Sequence, residues 1–148
     1  MSLEAKPDGR IRPLVDLRFG NDNTVADHSQ IWNQQTILHA VVKGKYRRRI
    51  DVSDAYFQKR VHPNDVKYNI IKTPLGGFTS QLMMQGDMNA PATFVTVMKD
   101  LFHDELGKFI WIFIDEIFIF RNSFEEQIEH VQPACRKLTE LLRKPKEE

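Results

Sequence analysis

The sequence predicts an α+β fold, in which antiparallel strand hairpins accompany separate amphipathic helices. Two apolar, β-prone runs, Phe109–Ile114 and Ile117–Phe120, flank a pair of acids and predict a hairpin. Helical spacing of apolar residues predicts one helix that begins near Asn89 and a second that begins at Ser123. A chain of 148 residues is long enough for one domain with a subdomain and for an ordinary core.

The first third of the chain predicts a strand, a loop and a helix. Partial alternation favours a strand over Ile11–Leu17, and the Gly, Asn and Asp residues of 19–24 favour a loop. A helix is expected from a cap at Asp27 or Ser29 to about Ala40. The residues expected on its apolar side are Ile31, Trp32, Leu38 and Val41.

The middle of the chain predicts short strands separated by turns. Tyr46–Val52 is expected to be a strand, and Asp54–Lys59 a short helical turn. Two further strands, Tyr68–Thr73 and Phe78–Met84, are expected to form a hairpin through Pro74–Gly77.

The last two helices have clear start signals. Pro91 suits a first turn, Gly107 is expected to stop that helix, and Ser123 begins a capping box. Pro133 lies inside the final helix and is expected to kink it, at a cost of ~3 kcal/mol if it breaks a regular turn. The residues expected to face the core are Phe94, Val97, Met98, Leu101, Phe102 and Leu106, and then Phe124, Ile128, Val131, Cys135, Leu138 and Leu142.

The composition excludes several classes of protein. A single cysteine, Cys135, rules out an intrachain disulfide and a zinc site made of several thiolates. The longest apolar stretch, Phe109–Phe120, contains two acids and falls short of the ~20 apolar residues of a membrane-spanning helix. No membrane partner is therefore expected. The 21 basic and 20 acidic residues give a net charge of +1, which by itself does not indicate nucleic-acid binding.

The positive charge is unevenly distributed. Five cations lie within seven residues, from Lys43 to Arg49, and residues 6–18 hold four cations against two acids. Such zones on a neutral protein fit an anionic ligand held at one face. A simply solvated surface is the alternative explanation.

The most informative residues are the adjacent acids Asp115 and Glu116 between two apolar strands. Acids are unfavourable in strands and costly to bury unpaired, so their position needs an explanation. One explanation is a hairpin tip that holds them in water. The other is a site in which a divalent cation neutralises them, with a third carboxylate from Asp51 or from Asp54 close behind. Two such ions can clamp the attacking and leaving oxygens of a phosphoryl transfer.

Four ordered motifs lie at residues 6–18, at 50–58 with 60–66 after it, at 85–94 and at 113–116. Together they resemble the fingers–palm core of a reverse transcriptase, of the gypsy-type LTR retrotransposon kind. The last motif reads Phe-Ile-Asp-Glu, where the family has an aromatic residue, any residue and two aspartates. The resemblance implies an RNA-directed DNA polymerase with an antiparallel palm sheet, helices packed on one face of it and a partial fingers subdomain.

The resemblance also implies subdomain boundaries, partners and a location. We expect partial fingers at residues 1–45, a partial palm at 46–143 that includes a fingers hairpin near 66–84, and a frayed tail at 144–148. The implied ligands are a dNTP and an RNA or DNA template with its primer. The implied location is intracellular, in the cytoplasm, in retrotransposon particles or in the nucleus.

Specific residues take on roles by resemblance. The implied catalytic acids are Asp51, Asp115 and Glu116, and the implied ligands of Mg²⁺, with Mn²⁺ as the alternative ion, are the same three acids with Val52. The residues implied to bind the nucleotide are Lys6, Arg12, Asp54, Ala55, Tyr56 and Gln85. Lys6 and Arg12 would contact the triphosphate, and the Tyr56 ring would lie under the sugar and reject a 2′-hydroxyl.

The chain departs from the family in ways that lower the expected activity. Glu116 replaces an aspartate, which moves its carboxylate by about one methylene, and Mg²⁺ demands near-ideal octahedral geometry. The primer-gripping strands, the thumb, the connection and the RNase H domain of the family are not expected within residues 1–148, so the chain is expected to be truncated. A non-catalytic palm that binds nucleic acid or forms a homodimer, through an unpaired sheet edge or exposed apolar surface, is the alternative.

Overall fold

The computed structural model describes residues 2–5, 9, 11–29, 31–52 and 55–143, and these form an α+β fold as expected. The elements in chain order are β1 (Ser2–Ala5), β2 (Ile11–Leu14), α1 (Arg18–Asp22), α2 (Gln34–Val42), β3 (Tyr46–Asp51), β4 (Ile70–Thr73), β5 (Gly76–Thr79), α3 (Ala90–Leu101), β6 (Ile110–Phe113), β7 (Glu116–Arg121) and α4 (Phe124–Arg143). Short 3₁₀ turns lie at Ala55–Gln58 and Val66–Tyr68, and the first confirms the expected helical turn after β3.

The main sheet is antiparallel, with strand order β3-β7-β6. The register places Tyr46 opposite Arg121 at one end and Asp51 opposite Glu116 at the other. Alternate residues of β6 and β7 are fully buried, which gives the sheet one strongly apolar face. The predicted hairpin forms, but only β7 is central, because β6 lies at an edge of the described sheet.

The chain divides into two compact units that do not follow chain order. One unit comprises 28–55 and 91–148, with the main sheet, α2, α3 and α4, and the other comprises 1–27 and 56–90. In the first unit, α4 packs against β7 and β3, and α2 packs against β6 and β7. Its most buried side chains are Ile37, Val95, Met98, Phe102, Ile110, Ile112, Ile117 and Ile119. The predicted subdomain boundaries stay a prediction, and the tail 144–148 lies outside the described residues.

Helix α4 begins as predicted but packs through a different face. The Glu126 N–H donates to Ser123 Oγ at 3.1 Å, which is the predicted cap. The helix continues as one element past Pro133. Its buried residues are Gln127, Ala134 and Leu138, whereas Phe124, Ile128 and Cys135 are exposed, so half of the predicted inward face was wrong. The burial of Gln127 is compensated at its Nε2, which donates to the Ile119 carbonyl at 3.3 Å.

Two predictions in the first third of the chain are corrected. Residues 18–22 form α1 instead of a loop, and the Asn21 side chain bonds to Gly86 and Met88 of the same unit. Helix α2 begins at Gln34, later than predicted, because Asn33 caps it by accepting from the Gln35 N–H at 2.8 Å. Of the two predicted cap residues, Asp27 and Ser29, neither caps α2, and the Asp27 N–H donates to Asn89 Oδ1 at 2.8 Å. On α2, Ile37 and Val41 are buried while Leu38 is exposed.

Helix α3 and strand β5 both end earlier than predicted. Helix α3 ends at Leu101, before Gly107, although Phe102 is still fully buried. The hairpin of β4 and β5 turns at Pro74-Leu75, and β5 ends at Thr79. No helix in the part of the chain that the structure describes is long and apolar enough to cross a bilayer.

Candidate active site

The antiparallel pairing of β3 with β7 brings the predicted catalytic acids to one end of the main sheet. Asp51 is the last residue of β3 and lies directly opposite Glu116, the first residue of β7. Directly opposed residues in such a pair have Cα atoms roughly 4.5–5.5 Å apart. The ladder continues beyond the strands, since the Val52 N–H donates to the Asp115 carbonyl at 3.2 Å. The backbone therefore positions all four residues that were assigned to the metal site.

The turn between β6 and β7 presents Asp115 at its tip. Phe113 pairs with Glu116, so only Ile114 and Asp115 form the turn. Ile114 has a φ of 55°, in the left-handed region that a β-branched residue rarely adopts. An L-residue pays roughly 1–2 kcal/mol for this conformation. The flanking strands, which are fixed by their pairing, hold Ile114 in this conformation. The same tight hairpin holds Asp115 beside Val52.

Glu116 is the one acid of this group with an observed side-chain partner. Its Oε1 accepts from Arg49 Nη1 at 3.1 Å, and 29% of the Glu116 side chain is exposed against 63% for Arg49. No hydrogen bond or ion pair joins the carboxylate of Asp51 or Asp115 to any other residue in the described part of the chain. Glu116 is therefore partly neutralised by Arg49.

The donor set fits a hard divalent cation. Exposed Asp51 and half-buried Asp115 offer carboxylate oxygens, and Mg²⁺ is usually bound by one or two carboxylates together with waters and substrate phosphates. Within the described residues, no group of three or more His, Cys, Asp or Glu side chains is arranged to hold a metal ion. This agrees with the turn of Glu116 towards Arg49. That Asp51, Val52, Asp115 and Glu116 bind metal stays a prediction.

The structure describes only some of the residues that were predicted to bind the nucleotide. Ala55 is buried and begins the 3₁₀ turn after β3, in the unit of the main sheet. Tyr56 and Gln85 belong to the other unit, and both are half-buried. The backbone of Arg12 lies in β2. The remaining predicted residues, Lys6 and Asp54, lie outside the described residues.

The loop that carries Gln85 is held by two hydrogen bonds. Asn21 Nδ2 donates to the Gly86 carbonyl at 2.9 Å, and the Met88 N–H donates to Asn21 Oδ1 at 3.1 Å. Gly86 has a φ of 96°, which favours glycine over other residues. The loop is therefore fixed in its own unit by α1, although the sequence predicted no helix at Asn21.

The pairing of Arg49 with Glu116 was missed by sequence reasoning, which noted Arg49 only as part of the basic zone from Lys43 to Arg49. Arg49 lies two residues before Asp51, so the strand period of two places both side chains on the same face. That spacing was the available signal, but the partner could be identified only once the pairing of β3 with β7 was known.

Comparison with known proteins identifies the family. The sequence profile of the family described as reverse transcriptase (RNA-dependent DNA polymerase) matches residues 5–145. The match covers nearly the whole chain and includes all four predicted motifs. The protein belongs to the reverse transcriptase family.

Individual relatives agree with this assignment. The chain is 29% identical over 139 residues to a retrovirus-related Pol polyprotein from transposon 297 of Drosophila melanogaster, covering 91% of this chain and 13% of the relative. It is 24% identical over 125 residues to an RNA-directed DNA polymerase homolog from Oenothera berteroana, covering 82% of this chain and 88% of the relative. The protein therefore spans a small part of the transposon polyprotein but most of the plant homolog.

Solved structures confirm the fold. The crystal structure of the Prototype Foamy Virus protease–reverse transcriptase superposes with a TM-score of 0.84 at 21% identity, covering 96% of this chain and 20% of that one. The foamy viral enzyme in complex with an RNA/DNA hybrid superposes with a TM-score of 0.81 at 22% identity, covering 94% and 18%. At these identities, the likeness is evidence for the fold alone.

Proposed function

We propose that this chain is the core of an RNA-directed DNA polymerase that transfers nucleotides from dNTPs to a primer 3′-hydroxyl on a template. The observation that carries the proposal is the β3–β7 register, which sets Asp51 opposite Glu116 and ties Asp115 to Val52. Phosphoryl transfer depends mostly on positioning and on electrostatic stabilisation. The strand pairing, which places the acids at one end of the sheet, supports both.

The protein's own groups have distinct roles in this proposal. Asp51 and Asp115 would hold the metal ions through carboxylate oxygens, with the Val52 carbonyl beside them and Glu116 as a further acid. Two Mg²⁺ ions, when bound, supply positive charge for the attacking and leaving oxygens. Mn²⁺ is the alternative ion for a site in which a glutamate replaces an aspartate.

The nucleotide would be held by residues from several segments. Lys6 offers a point charge and Arg12 a bidentate fork for phosphate oxygens. The Tyr56 ring would exclude a 2′-hydroxyl by its volume, and Asp54, Ala55 and Gln85 would also bind the nucleotide. These roles rest on the family motifs.

The proposed partners are a primer and an RNA or DNA template, inside the cell. Related foamy viral enzymes are described in complex with RNA/DNA hybrid and with double-stranded DNA. The exposed cations of β3 and of the turn before it offer charge for a phosphate backbone. We propose the cytoplasm, retrotransposon particles or the nucleus as the location.

A primer-extension assay with Mg²⁺ or Mn²⁺ tests the proposal. Asp115→Asn keeps the size of the side chain but removes its charge, and it should abolish extension. The matched control is Asp104→Asn, at an exposed acid in the turn after α3, and it should leave extension unchanged. Extension that persists in Asp115→Asn, or that is absent from the unmodified chain with both ions, contradicts a catalytic role.

A second candidate function is a non-catalytic module that binds nucleic acid or associates with itself. The pairing of Glu116 with Arg49 favours this candidate, because it partly neutralises one of the predicted catalytic acids. Three exposed apolar side chains on the β4–β5 hairpin also favour it: Ile70 is 52%, Leu75 91% and Phe78 53% exposed. The outer edge of β3 has no strand partner among the described strands and is a second route to a homodimer. Sedimentation of the unmodified chain and of Leu75→Ser tests association through the hairpin.

A further inference from the structure

We propose that Arg49 is a positioning residue that holds the Glu116 carboxylate away from Asp51 and Asp115, and so limits how many acids reach a divalent cation. The proposal rests on the metal-dependent function proposed above. It adds a residue that lies outside the four family motifs and that the sequence indicated only as part of the basic zone from Lys43 to Arg49.

The geometry of the pair is diagonal across β3 and β7. Arg49 lies opposite Phe118, whereas Glu116 lies opposite Asp51, so the ion pair crosses one step of the ladder. Diagonal neighbours are within reach of long side chains only. Glu116 reaches Arg49 with 3.1 Å between Oε1 and Nη1. An aspartate would be shorter by about 1.5 Å, the length of one carbon–carbon bond, and would leave the pair.

The chemistry of the pair makes Arg49 a competitor of the cation. A guanidinium has only donors and a carboxylate only acceptors, so each Glu116 oxygen that accepts from Arg49 is less available to a metal. Arg49 also places a positive charge on the same face as Asp51, about 6.8 Å along the strand. Because the ion pair of Arg49 with Glu116 is partly exposed, breaking it should change metal affinity by only about 2–5-fold.

Titration of the apo chain with Mn²⁺, followed through the electron paramagnetic resonance of the free ion, tests the proposal. Arg49→Gln should tighten Mn²⁺ binding by about 2–5-fold. The matched control is Arg47→Gln, which removes the same charge from the same strand and face, at a residue whose side chain pairs with no other described residue. Its effect should stay below about 1.5-fold, because it lies one strand repeat further from the site.

A double-mutant cycle separates positioning from general charge. In a Glu116→Gln background, Arg49→Gln should change Mn²⁺ affinity no more than Arg47→Gln does, because no carboxylate is left to release. Arg49→Lys, which keeps the charge, should return the affinity close to that of the unmodified chain. Circular dichroism establishes folding, and if Arg49→Gln does not fold, the same cycle is run with Arg49→Met, which also removes the charge.

The outcomes distinguish this inference from the proposed function. The positioning role is overturned if Arg49→Gln and Arg47→Gln change Mn²⁺ affinity equally. It is also overturned if Arg49→Gln changes Mn²⁺ affinity equally in the unmodified chain and in the Glu116→Gln background. Either result leaves the metal site intact. Mn²⁺ binding that is unchanged by Asp115→Asn, or absent at millimolar ion, overturns the metal site and the positioning role together.

Discussion

Replacing Gly44 should destabilise the fold, for a steric reason that the structure makes quantitative. Gly44 is buried in the turn between α2 and β3, and a Cβ built there would lie 2.8 Å from Phe120 Cβ and 3.2 Å from the Arg121 backbone N. Neither atom can rotate away, because each belongs to the backbone of β7 or is bonded directly to it. Relief requires that the turn and β7 separate by roughly 0.7–1.2 Å, since carbon atoms pack at about 3.5–4.0 Å.

Gly44→Ala is therefore expected to destabilise the fold by about 1–2 kcal/mol. Overpacking of this kind typically costs roughly 1–3 kcal/mol. The loss of backbone freedom in the unfolded chain offsets about 0.4–1 kcal/mol of that cost. Urea unfolding followed by circular dichroism measures the difference. The change lies at the Tyr46 end of the sheet, opposite the acids, so Mn²⁺ binding by the folded fraction should not change.

Gly20→Ala is the matched control for this substitution. Gly20 lies in α1, and a Cβ there would meet no atom within 4 Å. Alanine in a helix, without a clash, should be neutral or stabilising by up to about 1 kcal/mol. If Gly44→Ala proved as stable as Gly20→Ala, the close approach of the turn to β7 would be refuted.

Three further results are expected. Glu116→Asp should raise single-nucleotide incorporation and narrow the advantage of Mn²⁺ over Mg²⁺ in primer extension; if incorporation does not rise, the length of this acid is not limiting. Calorimetry should show no tight Mg²⁺ binding to the chain without nucleotide, and a submicromolar dissociation constant would contradict this. The Arg18 guanidinium holds the pKa of the exposed Asp16 carboxyl well below its ordinary value of about 3.9. The stabilisation from this pair is therefore complete above that ordinary value and lost as pH falls through the lowered one. In an NMR titration, Arg18→Gln should raise the midpoint of the Asp16 carboxyl. An unchanged midpoint would show that the Arg18 guanidinium does not lower the pKa of Asp16.

The parts of the fold that were predictable are those set by local sequence. The cap at Ser123 was predicted correctly, and the strand predicted at Tyr46–Val52 is found at Tyr46–Asp51, because side-chain capping and strand alternation act over a few residues. The pair of acids between two apolar runs correctly indicated a hairpin. The family motifs correctly gave the family.

The parts that failed depend on contacts distant in sequence. Residues 19–24 look like a loop, but Asn21 bonds to residues 65 and 67 positions away, and that helps to hold α1. The face of α4 was misassigned because Gln127 is buried and hydrogen-bonded to β7, which hydropathy cannot indicate. In the site, the ion pair of Arg49 with Glu116 depends on strand register, which the sequence of either strand alone does not contain.

The alternation along β3 limits how this segment can change in evolution. Arg47, Arg49 and Asp51 share the face that carries Glu116, while Ile50 lies opposite the fully buried Ile117 on the other face. Inserting or deleting one residue between Tyr46 and Asp51 would exchange the two faces and turn the acid into the apolar core. Substitutions preserve the alternation of side chains along β3, whereas insertions and deletions destroy it. Lineages that retain the site should therefore vary here in residue type but never in residue number, and tolerate insertions only in turns such as Pro74-Leu75.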